Sequence, residues 1–103
     1  MTGQELRQII QAKWGYSYDV QLRRVEGRIV AQIMWRYQEQ LSFPLSEADY
    51  LQHLEHVAAY LNDWGVVGQV RDFIQNTKAR PRLGKVVSIP LQLGGRSLEW
   101  LVD

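Results

Sequence analysis

The sequence predicts an α+β fold: a small, mainly antiparallel sheet, built from a β-hairpin and a C-terminal strand, with helices packed on one face, in the order α-β-β-α-α-β. Three observations predict it. Two stretches set apolar residues at helical spacing behind capping residues. Residues 16–35 alternate around a Glu26-Gly27 turn. A further alternating run ends at Leu93. At 103 residues the chain is expected to form one domain over 1–103.

The first helix is predicted over Gly3–Trp14. Thr2 and Glu5 have capping-box spacing, Leu6, Ile9, Ile10 and Trp14 share a face, and Gly15 stands where a left-handed cap is wanted. The period then changes to two. Tyr16, Tyr18, Val20 and Leu22 alternate with polar residues, and after the turn Ile29, Ala31, Ile33 and Trp35 line one face. Val30, Gln32 and Met34 line its other face; the second strand is the more apolar, so it belongs in the centre of the sheet. Arg36–Leu45 reads as a polar connector containing Pro44.

The longer helix is predicted over Glu47–Asp63. Ser46 caps it, Leu45 and Tyr50 hold hydrophobic-staple positions, and Tyr50, Leu54, Val57, Ala58 and Leu61 form its stripe until Gly65. In Val66–Thr77 the spacing of Val67, Val70, Phe73, Ile74 and Thr77 is helical. Its three valines and Gly68 leave a strand as the competing reading. Lys78–Lys85 reads as a loop around Pro81 and Gly84. Lys85–Leu93 reads as a strand with Val87, Ile89, Leu91 and Leu93 on one face, and Pro90 demands an edge position or a bulge. Gly94-Gly95 then turns the chain into a short piece, Ser97–Val102, expected to dock through Leu98, Trp100, Leu101 or Val102.

Composition excludes several functions. The chain has no cysteine, so disulfides, thiol nucleophiles and iron–sulfur ligation are out. No apolar run approaches the roughly eighteen residues of a membrane span, and no signal-peptide pattern opens the chain. The net charge of +1 argues against a broadly basic nucleic-acid binder. That figure is an average over opposed segments. Residues 37–70 carry only acids, whereas residues 71–96 carry Arg71, Lys78, Arg80, Arg82, Lys85 and Arg96 against Asp72 alone.

No catalytic or cofactor motif emerges, and no cofactor is expected. His53 and His56 are three apart on the second helix and lack the H-E-x-x-H pattern, so they read as a solvated face rather than a metal or enzyme site. The serines sit in no nucleophile motif, and the glycines match no phosphate-binding loop. Two signals stand out. Lys78, Arg80, Arg82 and Lys85 place four cations on a proline-stiffened loop, a pre-organised donor set for carboxylate or phosphate. Four tryptophans are many for this length; most belong to packing, while Trp100 is a candidate interface anchor.

Three blocks carry a resemblance: Lys13-Trp14-Gly15-Tyr16-Ser17-Tyr18-Asp19-Val20, the Phe43-Pro44 pair, and Arg80 through Leu91. In them the chain resembles the cyanobacterial and plastid family known as domain of unknown function 3067. The resemblance implies a small soluble protein of the cyanobacterial cytoplasm, with relatives in chloroplasts, and a role near photosynthesis or plastid physiology. It brings no catalytic or cofactor-binding residues to carry over.

Together these readings predict a non-enzymatic interaction, assembly or regulatory factor that docks an acidic protein through loop 78–85, with Trp100 nearby. The alternative is an RNA or anionic-ligand module adding hairpin Arg23, Arg24 and Arg28 to the loop, with Tyr16 or Tyr18 as stacking surfaces. A small metal-binding protein or enzyme using His53 and His56 ranks third. Oligomeric state is not legible.

Overall fold

The structure, a computed structural model, describes residues 1–93. Helix α1 (Gly3–Trp14) is followed by strands β1 (Tyr18–Val25) and β2 (Arg28–Tyr37), helices α2 (Glu47–Asp63) and α3 (Val67–Asn76), and strand β3 (Val87–Pro90). The expected Gly94-Gly95 turn and terminal piece, with Trp100, lie outside the described residues.

The caps form as their spacing predicts. Thr2 Oγ1 accepts from the Glu5 N–H at 3.1 Å, and Ser46 Oγ accepts from the Asp49 N–H at 3.1 Å. Gly15 ends α1 in the left-handed region. The competition over 66–77 resolves as helix. Val70 and Ile74, one turn apart, are buried, while Val67 and Phe73 flank them half-buried. A strand would have put Val67 and Val70 on opposite faces.

The sheet order is β1-β2-β3 with both pairs antiparallel, so the more apolar β2 is central. Val25 pairs with Arg28 around Glu26 (φ 51°) and Gly27 (φ 78°). Two positive φ values in a two-residue loop are what a right-twisted hairpin needs, and Gly27 supplies one without steric cost. The pairing slips between Tyr18, opposite Tyr37, and Val20, opposite Ile33.

β3 is shorter than the predicted Lys85–Leu93: at its start Lys85 is engaged in a turn with Arg82. The edge position expected for Pro90 is observed. The Leu91 N–H donates to the Ile29 carbonyl, so in an antiparallel ladder Ile89 and Val87 also face β2 while Ser88 and Pro90 face outward. The same alternation turns the backbone of Val20 and Leu22 toward the free edge of β1.

One core collects these faces. Leu6, Ile10, Ile33, Tyr50, Leu54, Leu61, Val70, Ile74 and Ile89 are essentially inaccessible to solvent. The Tyr50 hydroxyl donates to the Tyr18 carbonyl at 2.8 Å, tying α2 to the start of β1; burial pushes this phenol far above its ordinary range. Among the described residues no helix is long and apolar enough to cross a membrane.

Candidate functional site

The basic loop is held at three points. Pro81 is buried, while Lys78, Arg80, Arg82 and Lys85 are exposed around it. The Trp14 indole Nε1–H donates to the Ala79 carbonyl at 3.1 Å, and Thr77 Oγ1 accepts from the Ala79 N–H at 3.1 Å. Arg82 and Lys85 close a miniature hairpin, N–H to carbonyl in both directions at 3.0 and 2.7 Å. Gly84 takes φ +73°, and Leu83 stands at the tip, 86% exposed. The backbone is fixed and its side chains face water, the condition under which binding orders little extra chain.

Among the described residues none of the four loop cations pairs with a carboxylate. Other basic residues behave differently: Arg7 lies 3.4 Å from Glu47, and Arg71 lies 3.1 Å from Glu5. Arg80 instead reaches the phenol of Tyr18. Burial raises the Tyr18 pKa, and the Arg80 guanidinium beside it pulls part of that rise back.

Tyr18 joins the loop to an aromatic cluster that sequence reasoning named only in part. Tyr16 and Tyr37 stack at 4.4 Å, and Tyr18 sets its ring edge-on to Tyr37 at 5.5 Å and to Trp14 at 6.4 Å. Tyr16 falls outside β1 and is 44% exposed. The signal that could have found the Tyr16–Tyr37 pair is register, since alternation shows which residues share a face but not which residue lies opposite. Lys13 was also missed. Its Nζ donates to the Gln75 carbonyl at 3.3 Å, which brings its charge to the loop's side of α1.

The hairpin arginines do not join this patch. Arg28 lies at the hairpin tip, while β3 begins opposite Ile33, five residues further along β2 and so roughly 17 Å away. The loop precedes β3 at that far end. Trp100, the proposed anchor, lies outside the described residues.

The histidine pair is divided rather than convergent. His56 is exposed, but His53 is not part of a solvated face. Its Nε2 sits 2.7 Å from the Val20 carbonyl and 3.3 Å from Asp19 Oδ1. Asp19 Oδ1 also accepts from the Val20 N–H at 2.9 Å, so the outward-facing groups of Val20 on the β1 edge are both closed by side chains. Among the described residues no group of three or more His, Asp or Glu side chains could hold a metal.

A second polar cluster resembles a reactive site and is a structural joint. Ser17 is fully buried. Its Oγ accepts from Arg7 Nε (3.0 Å) and Gln11 Nε2 (2.6 Å) and donates to Glu39 Oε2 at 2.7 Å. Two acceptances and one donation exhaust a hydroxyl. No histidine touches it, and it has no lone pair left for attack. Desolvation pushes the Glu39 carboxyl up, but bonds from the Ser17 N–H and hydroxyl outweigh it and hold the group below its ordinary value. The cluster clamps the connector after β2 onto α1.

The family model described as "Domain of unknown function (DUF3067)" matches residues 4–101, so the chain belongs to that family. The solution NMR structure of the Alr2454 protein from Nostoc sp. strain PCC 7120 is similar, with 59% sequence identity and a TM-score of 0.89. The match covers 100% of this chain and 99% of that one, and the α-β-β-α-α-β architecture is shared. No curated protein matches the chain.

Proposed function

We propose that this family member is a single-domain, non-enzymatic binding module, with an assembly or regulatory role, that docks an acidic protein surface through loop 78–85 in the cyanobacterial cytoplasm, and in the plastid for eukaryotic relatives. One observation carries the reading. Lys78, Arg80, Arg82 and Lys85 are exposed on a pinned loop and have no carboxylate partner among the described residues, while Arg7 and Arg71 have theirs. Four like charges held together are mutually unfavourable, and an acidic partner relieves that repulsion while gaining charge-assisted hydrogen bonds. Leu83, between Arg82 and Lys85, adds an apolar contact at the tip.

The test is affinity capture from cyanobacterial lysate with wild type and Arg80→Glu/Arg82→Glu, identifying partners by mass spectrometry. A partner with an acidic face that the variant loses is expected. Identical partner sets overturn the role of the loop.

A second reading has one observation in its favour: the Tyr16–Tyr37 stack reached through Tyr18 from Arg80, which joins a cation to an aromatic surface as RNA binding requires. The distant hairpin arginines weaken it. RNA binding would weaken steeply as salt rises, and absence of binding at low salt removes this reading.

A further inference from the structure

The loop continues into a groove between α1 and α3. Its inner half, about 310 Å³, is walled by Ile9, Ala12, Ile74 and Gln75 and is mainly apolar. Its outer half, about 410 Å³, is bordered by Trp14, Thr77, Lys78 and Arg80 and is more polar. Lys13 borders both, its Nζ bonded to the Gln75 carbonyl, so the two hollows lie end to end along α1 and α3. At the inner end Arg71 and Glu5 neutralise each other.

The charge of the outer end survives its unfavourable neighbours. α1 and α3 both end there, at Trp14 and Asn76, and each C-terminus contributes about −0.5 charge. Against these stand the full positive charges of Lys13, Lys78 and Arg80. The groove is therefore apolar at one end and cationic at the other. Both halves are open to solvent, which suits side chains laid along a surface rather than an enclosed cofactor.

We propose that this groove is the seat of the acidic partner, which presents a peptide segment with an apolar anchor followed by carboxylates. The inference rests on the loop reading above and deepens it. The apolar anchor fills the space between Ile9 and Ile74, and the carboxylates lie against Lys13, Lys78 and Arg80. Charge complementarity fixes the direction of the segment, with its acidic end toward the loop. An amphipathic helix with anchors at i and i+4 is the simplest such segment.

Fluorescence anisotropy tests this with a labelled peptide carrying two leucines at i and i+4 followed by a run of glutamates. Three proteins are compared: wild type, Ala12→Trp, and Arg80→Glu. Ala12 is exposed, so tryptophan there fills the groove without changing charge. Gln75→Trp on the opposite wall is the second blocking variant should Ala12→Trp fail to fold. Expected is a roughly tenfold or greater weakening in both the blocked and the charge-reversed protein, and loss of binding when the leucines become serines. Weakening by Arg80→Glu alone overturns the groove and leaves the loop reading standing. Weakening by Ala12→Trp alone overturns the acidic pairing. No binding by wild type overturns the groove for this class of partner, while lysate capture that depends on Arg80 and Arg82 would still uphold the loop. A homodimer in sedimentation that Ala12→Trp dissolves assigns the groove to a second copy of the chain and overturns the proposal.

Discussion

Gly3 and Gly68 both lie in helices, and the same substitution should move stability in opposite directions at the two. Gly3 opens α1 against the backbone of α2. A Cβ there would meet the Glu55 nitrogen at 2.6 Å and its Cα at 2.9 Å. Neither atom belongs to a flexible side-chain end, so the helices must separate by several tenths of an ångström. That movement also stretches the bond from the Gly3 N–H to Glu55 Oε2, now 2.8 Å. Overpacking of this kind costs about 1–3 kcal/mol, against about 0.5–1 kcal/mol gained by placing alanine in a helix. The clash wins, and Gly3→Ala should be destabilised by about 1–2 kcal/mol. Gly68, inside α3, faces open space: a methyl group added there would have nothing within 4 Å. Only the helix gain remains, so Gly68→Ala should be stabilised by about 0.5–1 kcal/mol. Each kcal/mol moves Tm by about 4–8 °C at this size. Calorimetry or thermal circular dichroism should thus show Tm falling for the first variant and rising for the second. A Tm for Gly3→Ala at or above wild type would refute the close approach of α1 and α2.

Ser17→Ala should lower stability by about 1–3 kcal/mol in urea titration, because it strands the Arg7 and Gln11 donors and frees Glu39. Glu39 titrates lower folded than unfolded, so its contribution is present above the ordinary carboxylate pKa and disappears as pH falls through its depressed folded value. Glu39→Gln should accordingly flatten the acid limb of stability below about pH 4.3, and an unchanged limb would remove the Ser17 clamp. Trp14→Phe removes the indole bond to Ala79 and should weaken acidic-peptide binding by roughly 2–10-fold as the loop loosens; equal affinities would show that Pro81, the Thr77 bond and the Arg82–Lys85 turn hold the loop without the indole. Leu83→Ser should leave Tm unchanged, given its exposure, while weakening partner binding; a fall in Tm would show that Leu83 is packed in solution.

How much of this was legible depends on how far each signal reaches. Caps and stripes act within four residues, so Thr2, Ser46 and the Tyr50–Leu61 stripe could be read directly, and all form as expected. Pro90 was legible because one missing N–H excludes a central strand whatever the fold. Segment 66–77 was ambiguous because its valines favour a strand locally. The helix wins through burial of Val70 and Ile74, contacts that no local propensity contains. β3 was over-extended at its start because the alternation of Val87, Ile89 and Leu91 does not show that Lys85 is claimed by Arg82 across a turn. His53 was misjudged for a similar reason. It lies off the helical stripe, yet the edge of β1 passes beside α2 and offers it the Val20 carbonyl.

The site shows the same division. Charge density in loop 78–85 is a local property, and the sequence exposed it. Whether those charges are spare is a tertiary property, because it depends on which carboxylates the fold brings near. Arg7 and Arg71 look no different from Arg80 in the sequence, yet α2 and α1 deliver Glu47 and Glu5 to them and nothing equivalent to the loop among the described residues. The hairpin arginines look equally available, but the strand register carries them to the far end of the sheet. Lys13, unremarked in the sequence, arrives through α1 packing on α3. The groove follows from that packing too, since α3 follows α2 after a short turn and lays Ile74 beside Ile9. A site of this kind is selected by subtraction, as the cations left over once the carboxylates around them have been placed, and only the folded chain performs that subtraction.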